Sequence, residues 1–395
     1  MAPALGAMGD AWPCNRADKA TVRVQGEIGV SDRWGCDRTY LLVGPVFVRP
    51  GAFLTIDAGT TVLGDVTTKG MLIVQPGARL VADGLRGAPI VFTSAAEPSQ
   101  RRAGDWGGVV LLGRAYSNSQ HPVFPGLPGG GEYGGTDDDD TSGVLRFVRI
   151  EYSGNSGVAG LSLRAVGRAT AINHVMVREA ASDCFEFSGG AARAKHLLCQ
   201  HSRDDGFDWH EGFRGKLQFL AYQAMAAPPS DSHGIEGDND VANAGTAPLS
   251  EPTIFNATLC GPRTDPDGEQ FGISVRGGTR AHINNTIVTS FQVALDVRDA
   301  NTQLDVRSSQ VWPAIGNPGV TILYMEPGRL NIVGAPNIGD CFDPYRPGFA
   351  PSPSIKSNAG TPPADGFFEP AAYLGAFRDL EDDWARGPWV TFSER

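Results

Sequence analysis

The sequence predicts an all-β chain wound as a right-handed parallel β-helix, a solenoid with irregular amino- and carboxy-terminal caps. Three observations carry this expectation. Two short phrases recur along the chain, their tightest intervals are 22 to 24 residues, and the residues they align form uniform columns. Coils stacked in a fixed register produce all three. Composition agrees, since 51 Gly and 28 Pro in 395 residues favour many short strands joined by tight turns.

Residues 1–40 are expected to form the first cap. The cysteines are even in number at six, and no CxxC or Cys/His spacing offers a zinc site. Cys14 and Cys36 flank the first expected strand and form the expected disulfide. The opening "MAPALGAMGDAWPC" has neither the basic start nor the apolar run of a signal peptide. No apolar run reaches the roughly 18 residues of a membrane span. These features together point to an exported protein, secreted or associated with the outer membrane, whose signal has been removed.

The solenoid is expected over 41–335. Its first coils read "VFVRPGAFLTIDAGT" from Val46 and "LIVQPGARLVADG" from Leu72, each a strand, a Pro-Gly turn and a strand. In the middle, strands recur as "FVRIEYS" from Phe147, "HVMVREA" from His174, "HLLCQHS" from His196, "FLAYQAM" from Phe219, "ATLCGPR" from Ala257 and "TIVTSFQ" from Thr286. A second phrase follows each: "AGLSL" from Ala159, "DCFEF" from Asp183, "DGFDW" from Asp205, "HGIEG" from His233, "FGISV" from Phe271 and "VALDV" from Val293. Its intervals are 24, 22, 28, 38 and 22 residues, and polar Pro/Gly-rich inserts fill the long ones. Leu161, Phe185, Phe207, Ile235, Ile273 and Leu295 should point inward, followed two residues on by a column in which Trp209 lies beside Gly237. Gly160, Cys184, Gly206, Gly234, Gly272 and Ala294 make a small column, as a sharp turn requires. Residues 336–395 break the repeat and should cap the open end.

Stacking changes the meaning of the acidic stretch "SRDDGFDWHEG" from Ser202. Equivalent residues on adjacent parallel strands sit about 4.8 Å apart. Glu186, Asp208 and Glu236 therefore form an outward ladder, flanked by Asp183, Asp204, Asp205 and His233 on one side. On the other side lie His210, Asp238, Arg276 and Arg298. Carboxylates crowded this way bind a cation, share protons at raised pKa, or splay into solvent. The net charge of −11 disfavours nucleic acid and anionic membranes as partners and leaves cations, calcium included, as plausible ones. Further candidate calcium ligands are Asp137, Asp138, Asp139 and Asp140 in "TDDDDTSG", Asp238 and Asp240 in "DND", and "DPDGE" at 265–269. None completes an EF-hand loop. No organic cofactor is expected, and a monomer is.

From about Cys36 onward the chain resembles secreted bacterial right-handed β-helix proteins of hypothetical or lipoprotein type. The residues are "PGAFLTIDAGTTV", "GDWGGVVLLGRA", "RIEYSG", "DDGFDWHEGFRGKLQF", "HGIEGDND" and "YLGAF". This resemblance implies the fold and export, and no activity. A narrower likeness is to polygalacturonase-like glycoside hydrolases, which carry an Asn-Thr-Asp turn, an Asp-Asp pair, a Gly-His-Gly turn and an Arg-Ile-Lys strand on successive coils. The corresponding coils here read "ASDCFEF", "RDDGFDW", "SHGIEGD" and "FGISVRG". Asp183 matches the first aspartate, Asp204 and Asp205 the pair, and His233 the histidine. Arg276 stands where that family has lysine, Ser274 where it has arginine, and Ala-Ser where it has Asn-Thr.

The resemblance implies inverting hydrolysis of an extracellular polysaccharide. Asp204 would protonate the leaving oxygen, Asp183 and Asp205 would activate water, and His233 would tune the acid. Glu186, Asp208, His210, Glu236 and Arg276 would bind substrate. Two alternatives stay open: a non-catalytic calcium-binding surface or matrix protein, and a calcium-dependent lyase using Arg276, Arg298 or Lys216 as base. An enzyme should have the inserts at 223–232 and 237–252 walling a cleft beside Asp204, whereas a binder should leave the face flat.

Overall fold

A repeat with apolar residues at fixed positions can bury them only against the equivalent residues of the next coil, and the chain folds accordingly. The computed structural model describes Cys14 and residues 18–392, apart from 121, 125–126, 128–129, 230, 263–269, 344 and 383. Twenty-five short strands run through that course in one continuous sheet of parallel ladders. The sheet that positions the site comprises β1 (Met71–Val74), β2 (Gly108–Leu112), β3 (Leu161–Arg164), β4 (Phe185–Ser188), β5 (Phe207–His210), β6 (Ile235–Gly237), β7 (Phe271–Val275) and β8 (Val293–Val297). They pair in that order, in the register the repeats set: Leu161, Phe185, Phe207, Ile235, Ile273 and Leu295 are successive partners. All six are buried, and the rings of Phe185 and Phe207 stack 5.3 Å apart.

Trp209 and Gly237 are partners in β5 and β6. The indole fills the space over the glycine so closely that an added Cβ would lie 2.1 Å from the ring. Its Nε1 donates to Thr279 Oγ1 at 3.0 Å. In the small column a Cβ on Gly206 would come within 2.6 Å of the Gly234 carbonyl, and one on Gly234 within 2.7 Å of that of Gly272. Close approach of the coils, joined at Gly206 by the Tyr222 ring at 2.4 Å, dictates glycine there.

Five longer strands form a second flank: Gly143–Glu151, Ala171–Ala180, Arg193–Ser202, Lys216–Gln223 and Thr253–Cys260. Each bends at an equivalent residue with a left-handed backbone: Phe147 (φ 48°), His174 (57°), His196 (54°), Phe219 (62°) and Asn256 (60°); Glu179 (51°) and His201 (59°) add a second bend to two of them. Bulky residues adopt that conformation only when the surroundings enforce it. Here the rings of Phe147, His174, His196 and Phe219 stack at 4.2–4.7 Å, with Trp384 and Trp389 edge-on against the histidines.

The ends differ from the sequence expectation. Strand Ala20–Ile28 already pairs in parallel with Arg38–Val48, so the solenoid begins inside the stretch expected to be a cap. At the other end the short helix Pro318–Tyr324 feeds Val320 and Tyr324 into the core and closes it. Residues beyond 336 lie along the long-strand flank, held by Lys195, Gln218 and Asn256, because the apolar outward residues Met176, Leu198 and Ala221 need covering. Cys14 and Cys36 are joined, as expected; Cys184–Cys199 inside the solenoid and Cys260–Cys341, which ties down the flanking segment, are further disulfides.

Gly237→Ala should cost about 1–3 kcal/mol by overpacking. In the double variant with Trp209→Leu, chemical denaturation should show a loss smaller than the sum of the single losses. Additive losses would mean that the indole does not set the glycine requirement.

Candidate functional site

The register determines what one outward column carries from coil to coil. It runs Ile73, Val110, Ser162, Glu186, Asp208, Glu236, Ser274, Asp296, changing from apolar to acidic at β4. Ile73, Val110, Ser162 and Glu186 are buried, whereas Asp208 and Glu236 are partly open. The three central carboxylates form the ladder that the repeat predicts.

The column two residues on supplies the counter-charges of that ladder. Arg164, Arg276 and His210 stand in it, and each reaches a carboxylate of an adjacent coil. Arg164, on β3, forms a buried ion pair with Glu186, and Arg276 donates to Glu236 at 2.8 Å while its Nε lies 3.7 Å from Asp238. His210 Nε2 lies 3.1 Å from Glu186 Oε1, 3.0 Å from Ser188 Oγ and 3.7 Å from Asp208 Oδ2. Burial pushes Glu186 upward, but the Arg164 charge and the His210 contact outweigh it and hold the carboxyl at about 2. Burial would lower His210, yet Glu186 and Asp208 drive it up to about 10, so it is an imidazolium. Asp208 is pushed well above the carboxylate range, by burial first and then by its acidic neighbours. Burial takes Glu236 up to about 7 against the pull of Arg276, and also raises Asp238.

At the turn before these strands a second set comes together. Asp183 Oδ1 accepts the Asp205 backbone N–H at 3.0 Å, Asp205 Oδ1 accepts that of His233 at 2.7 Å, and His233 Nδ1 accepts that of Phe271 at 3.1 Å. Each side chain thus caps the next coil at the same place in the repeat. Asp183, Asp204 and Asp205 bring carboxylate oxygens within 4.8 Å of one another, and Asp204 is the exposed member. Burial and mutual repulsion push Asp183 and Asp205 well above the usual range; burial and the Asp231 charge raise Asp204. His233 is wholly buried and pushed down to about 4, hence neutral with its proton on Nε2, which faces Asp231 Oδ1 at 3.2 Å. Asp231 thus stands between His233 and Asp204, whose carboxyl it raises.

The strand edge beyond His210 borders a polar cavity of about 500 Å³, lined among others by Asn118, Gln120, His210, Glu211, Asp238 and Asn243. The two inserts flank opposite edges of the face. Residues 238–246 wall this cavity, and Asp231 stands at the Asp204 edge. Asp240, at the cavity wall, spends its oxygens on Ala242 N, Asn243 N and Thr246 Oγ1.

Asp137, Asp138, Asp139 and Asp140 do not converge with these groups. Asp138 pairs with Arg214, Asp139 with Arg168, Asp140 accepts the Arg114 backbone N–H, and Asp137 accepts that of Asp139. Arginines and amides neutralise the run. "DPDGE" at 265–269 lies outside the described residues. Among the described residues, the groups of three that could hold a cation are Asp183/Asp204/Asp205 and Glu186/Asp208/His210, and the second already carries Arg164 and a charged histidine.

Sequence reasoning missed Arg164, although extending the His210 column back by one coil reaches it. It also missed Tyr133, Ser117 and Asn118. Tyr133 and Ser117 donate to Glu211 Oε2 at 2.6 and 3.2 Å, and Asn118 donates to Asn239 Oδ1 at 2.8 Å. These three belong to an excursion outside the repeat, so no column announces them.

Comparison with known proteins adds one finding: residues 26–314 match the family model described as a pectate-lyase like beta helix domain. No curated protein and no solved structure matches the chain.

The raised carboxyls have a consequence for stability. Asp183, Asp205 and Asp208 contribute stability that is full below their ordinary value of 3.8 and is lost as pH rises through their raised values. Glu186 contributes in the opposite sense, fully above 4.5 and lost as pH falls toward about 2. His210 contributes fully below 6.5 and loses that contribution progressively as pH rises from there to about 10. The melting temperature should therefore be higher at mildly acidic pH than at pH about 8. Asp205→Asn keeps the acceptor for His233 N–H and mimics the protonated acid, so it should narrow that gap by about 2 °C or more. An unchanged gap would show that Asp205 is ionised in the fold.

Proposed function

The chain belongs to the pectate-lyase-like β-helix family, and from that premise we propose that it is an exported carbohydrate-active protein that hydrolyses an extracellular polysaccharide on its acidic face. Three disulfides, one of them inside the solenoid, support an oxidising location. The observation that carries the hydrolytic reading is the convergence of Asp183, Asp204 and Asp205 with Asp204 as the fully exposed member. Three carboxyls this close cannot all ionise, so they hold a proton in common, as paired carboxyls do in acid proteases. Asp204 is the member able to deliver it.

In the step proposed, the Asp204 proton passes to the glycosidic oxygen as the bond from that oxygen to the anomeric carbon breaks. Water attacks the anomeric carbon from the opposite side and gives up a proton to a base. An inverting enzyme keeps its acid and base about 6.5–9.5 Å apart. The triad oxygens lie within 4.8 Å of one another, and Asp183 and Asp205 each spend an oxygen on a backbone N–H. The base therefore lies outside the triad. Glu236, on the next coil at about 7, has the pKa a base needs near neutrality.

Elimination is less well supported, because it needs a free Arg or Lys as base. Arg276 is engaged by Glu236 and Asp238, Arg298 by Asp296 and Asp231, and Lys216 by Asp365 on the far flank.

A panel of soluble polysaccharides (polygalacturonate, alginate, xylan and chitosan) tests the proposal. One member should release reducing ends without the 4,5-unsaturated product that absorbs at about 235 nm, and release should persist in EGTA. Asp204→Asn should lower the rate by about 10²–10⁴-fold and leave the melting temperature nearly unchanged. Unsaturated products lost on chelation would establish the lyase instead, and full activity in Asp204→Asn would remove the proposed acid.

A further inference from the structure

The face that carries these carboxylates is blocked at one end. The chain leaves the solenoid after β2 and returns only at Gly143, and the described residues between them fold back, with Val123 bridged to Glu132. Phe124, Leu127 and Tyr133 from this excursion pack on Ile73, Val110, Leu112 and Val158. Of the residues of β1 and β2 that they cover, Ile73 and Val110 belong to the column that turns acidic at Glu186, and Leu112 belongs to the column of Arg164 and His210. The guanidinium of Arg164 closes the gap that remains, 4.7 Å from the Phe124 ring on one side and paired with Glu186 on the other.

The excursion also reaches forward over several coils. Its tip is fixed where Asn118 donates to Asn239 Oδ1 and to the carbonyls of Thr246 and Pro248, and where the Asn118 backbone N–H donates to the Glu211 carbonyl. Ser117 and Tyr133 anchor the same tip to the Glu211 carboxylate. The outward column is therefore shut up to Glu186 and partly open at Asp208, Glu236 and Asp296, with Ser274 between them buried, and the cavity of about 500 Å³ lies under the tip. That volume falls in the usual range of small-ligand sites, about 300–1,000 Å³.

We infer that the protein acts on polysaccharide chain ends, with the plug formed by Phe124, Tyr133 and Arg164 stopping the terminal sugars beside the carboxylates. This rests on the hydrolytic reading above. A chain lying along the solenoid axis cannot continue past Glu186, so an internal segment cannot be seated with sugars on both sides of the plug. The termini of a polymer, or short oligomers, are the substrate class that fits.

The test follows viscosity against reducing ends released, on whichever polysaccharide of the panel the wild-type protein cleaves. Reducing ends should accumulate with little loss of viscosity, and products should be short and uniform from the first time points. Replacing residues 123–132 with two glycines joins positions that are already adjacent and removes Phe124, the apolar part of the plug; viscosity lost per reducing end should then rise several-fold. Phe124→Ala with Leu127→Ala, which leaves the excursion's anchors intact, should shift the pattern the same way if the deletion does not fold. A steep early fall in viscosity with the wild-type protein, matching the opened variants, overturns the inference while leaving hydrolysis in place. Release of no reducing ends from any substrate overturns the hydrolytic reading and this inference with it.

Discussion

Parallel stacking in fixed register is the constraint on which the rest of this structure depends. It brings equivalent residues of successive coils to about 4.8 Å, whatever their chemistry. Apolar residues gain from that proximity, and Phe185, Phe207 and Ile235 make a continuous core of it. Acidic residues pay for it in repulsion, and Glu186, Asp208 and Glu236 are such a row. The fold relieves the strain in two ways. Arginines two residues further on, one coil before the row and one coil after, return to pair with its ends. The middle is relieved by a charged histidine and by proton uptake.

The relief is uneven, and the unevenness is what gives the face chemical potential. Glu186 is tied to Arg164 and His210 in a buried network, where losing one partner of an ion pair typically costs about 3–5 kcal/mol. That end is rigid and ionised. The Asp183–Asp204–Asp205 group has no arginine and must keep protons, and Glu236 is balanced between burial and Arg276. Groups of one chemical type thus hold different protonation states a few residues apart, which is how a site obtains an acid and a base from carboxyls alone. Asp183, Asp205 and His233 also hold the coils in register through backbone N–H groups. Their chemistry cannot be separated from the fold.

Much of this was legible in the sequence because it is periodic. The columns through Leu161 and Phe185, the match of Trp209 to Gly237 and the ladder through Glu186, Asp208 and Glu236 follow from aligning the repeats. Arg164 was within reach of the same alignment. Phe124, Tyr133 and Asn118 were not, since they lie in an excursion that obeys no period and whose contacts span up to about 130 residues of sequence. The role of His233 was also hidden. A histidine beside an acidic pair suggests a direct partner, but which nitrogen faces which group depends on the backbone of the next coil. The acidic run at 137–140 misled for a related reason, because Arg168 and Arg214, which neutralise it, are distant in sequence.

The central claim is that the carboxyls of the acidic face retain protons at neutral pH. Carbon-13 NMR titration of the side-chain carboxyls in aspartate-labelled protein measures this most directly, with Asp183, Asp204, Asp205 and Asp208 assigned by single Asp→Asn variants. The account predicts that Asp205 and Asp208 keep the chemical shift of a protonated acid well above pH 4 and that replacing either changes the titration of its neighbours. Four independent transitions near the ordinary aspartate value of about 3.9 would contradict it.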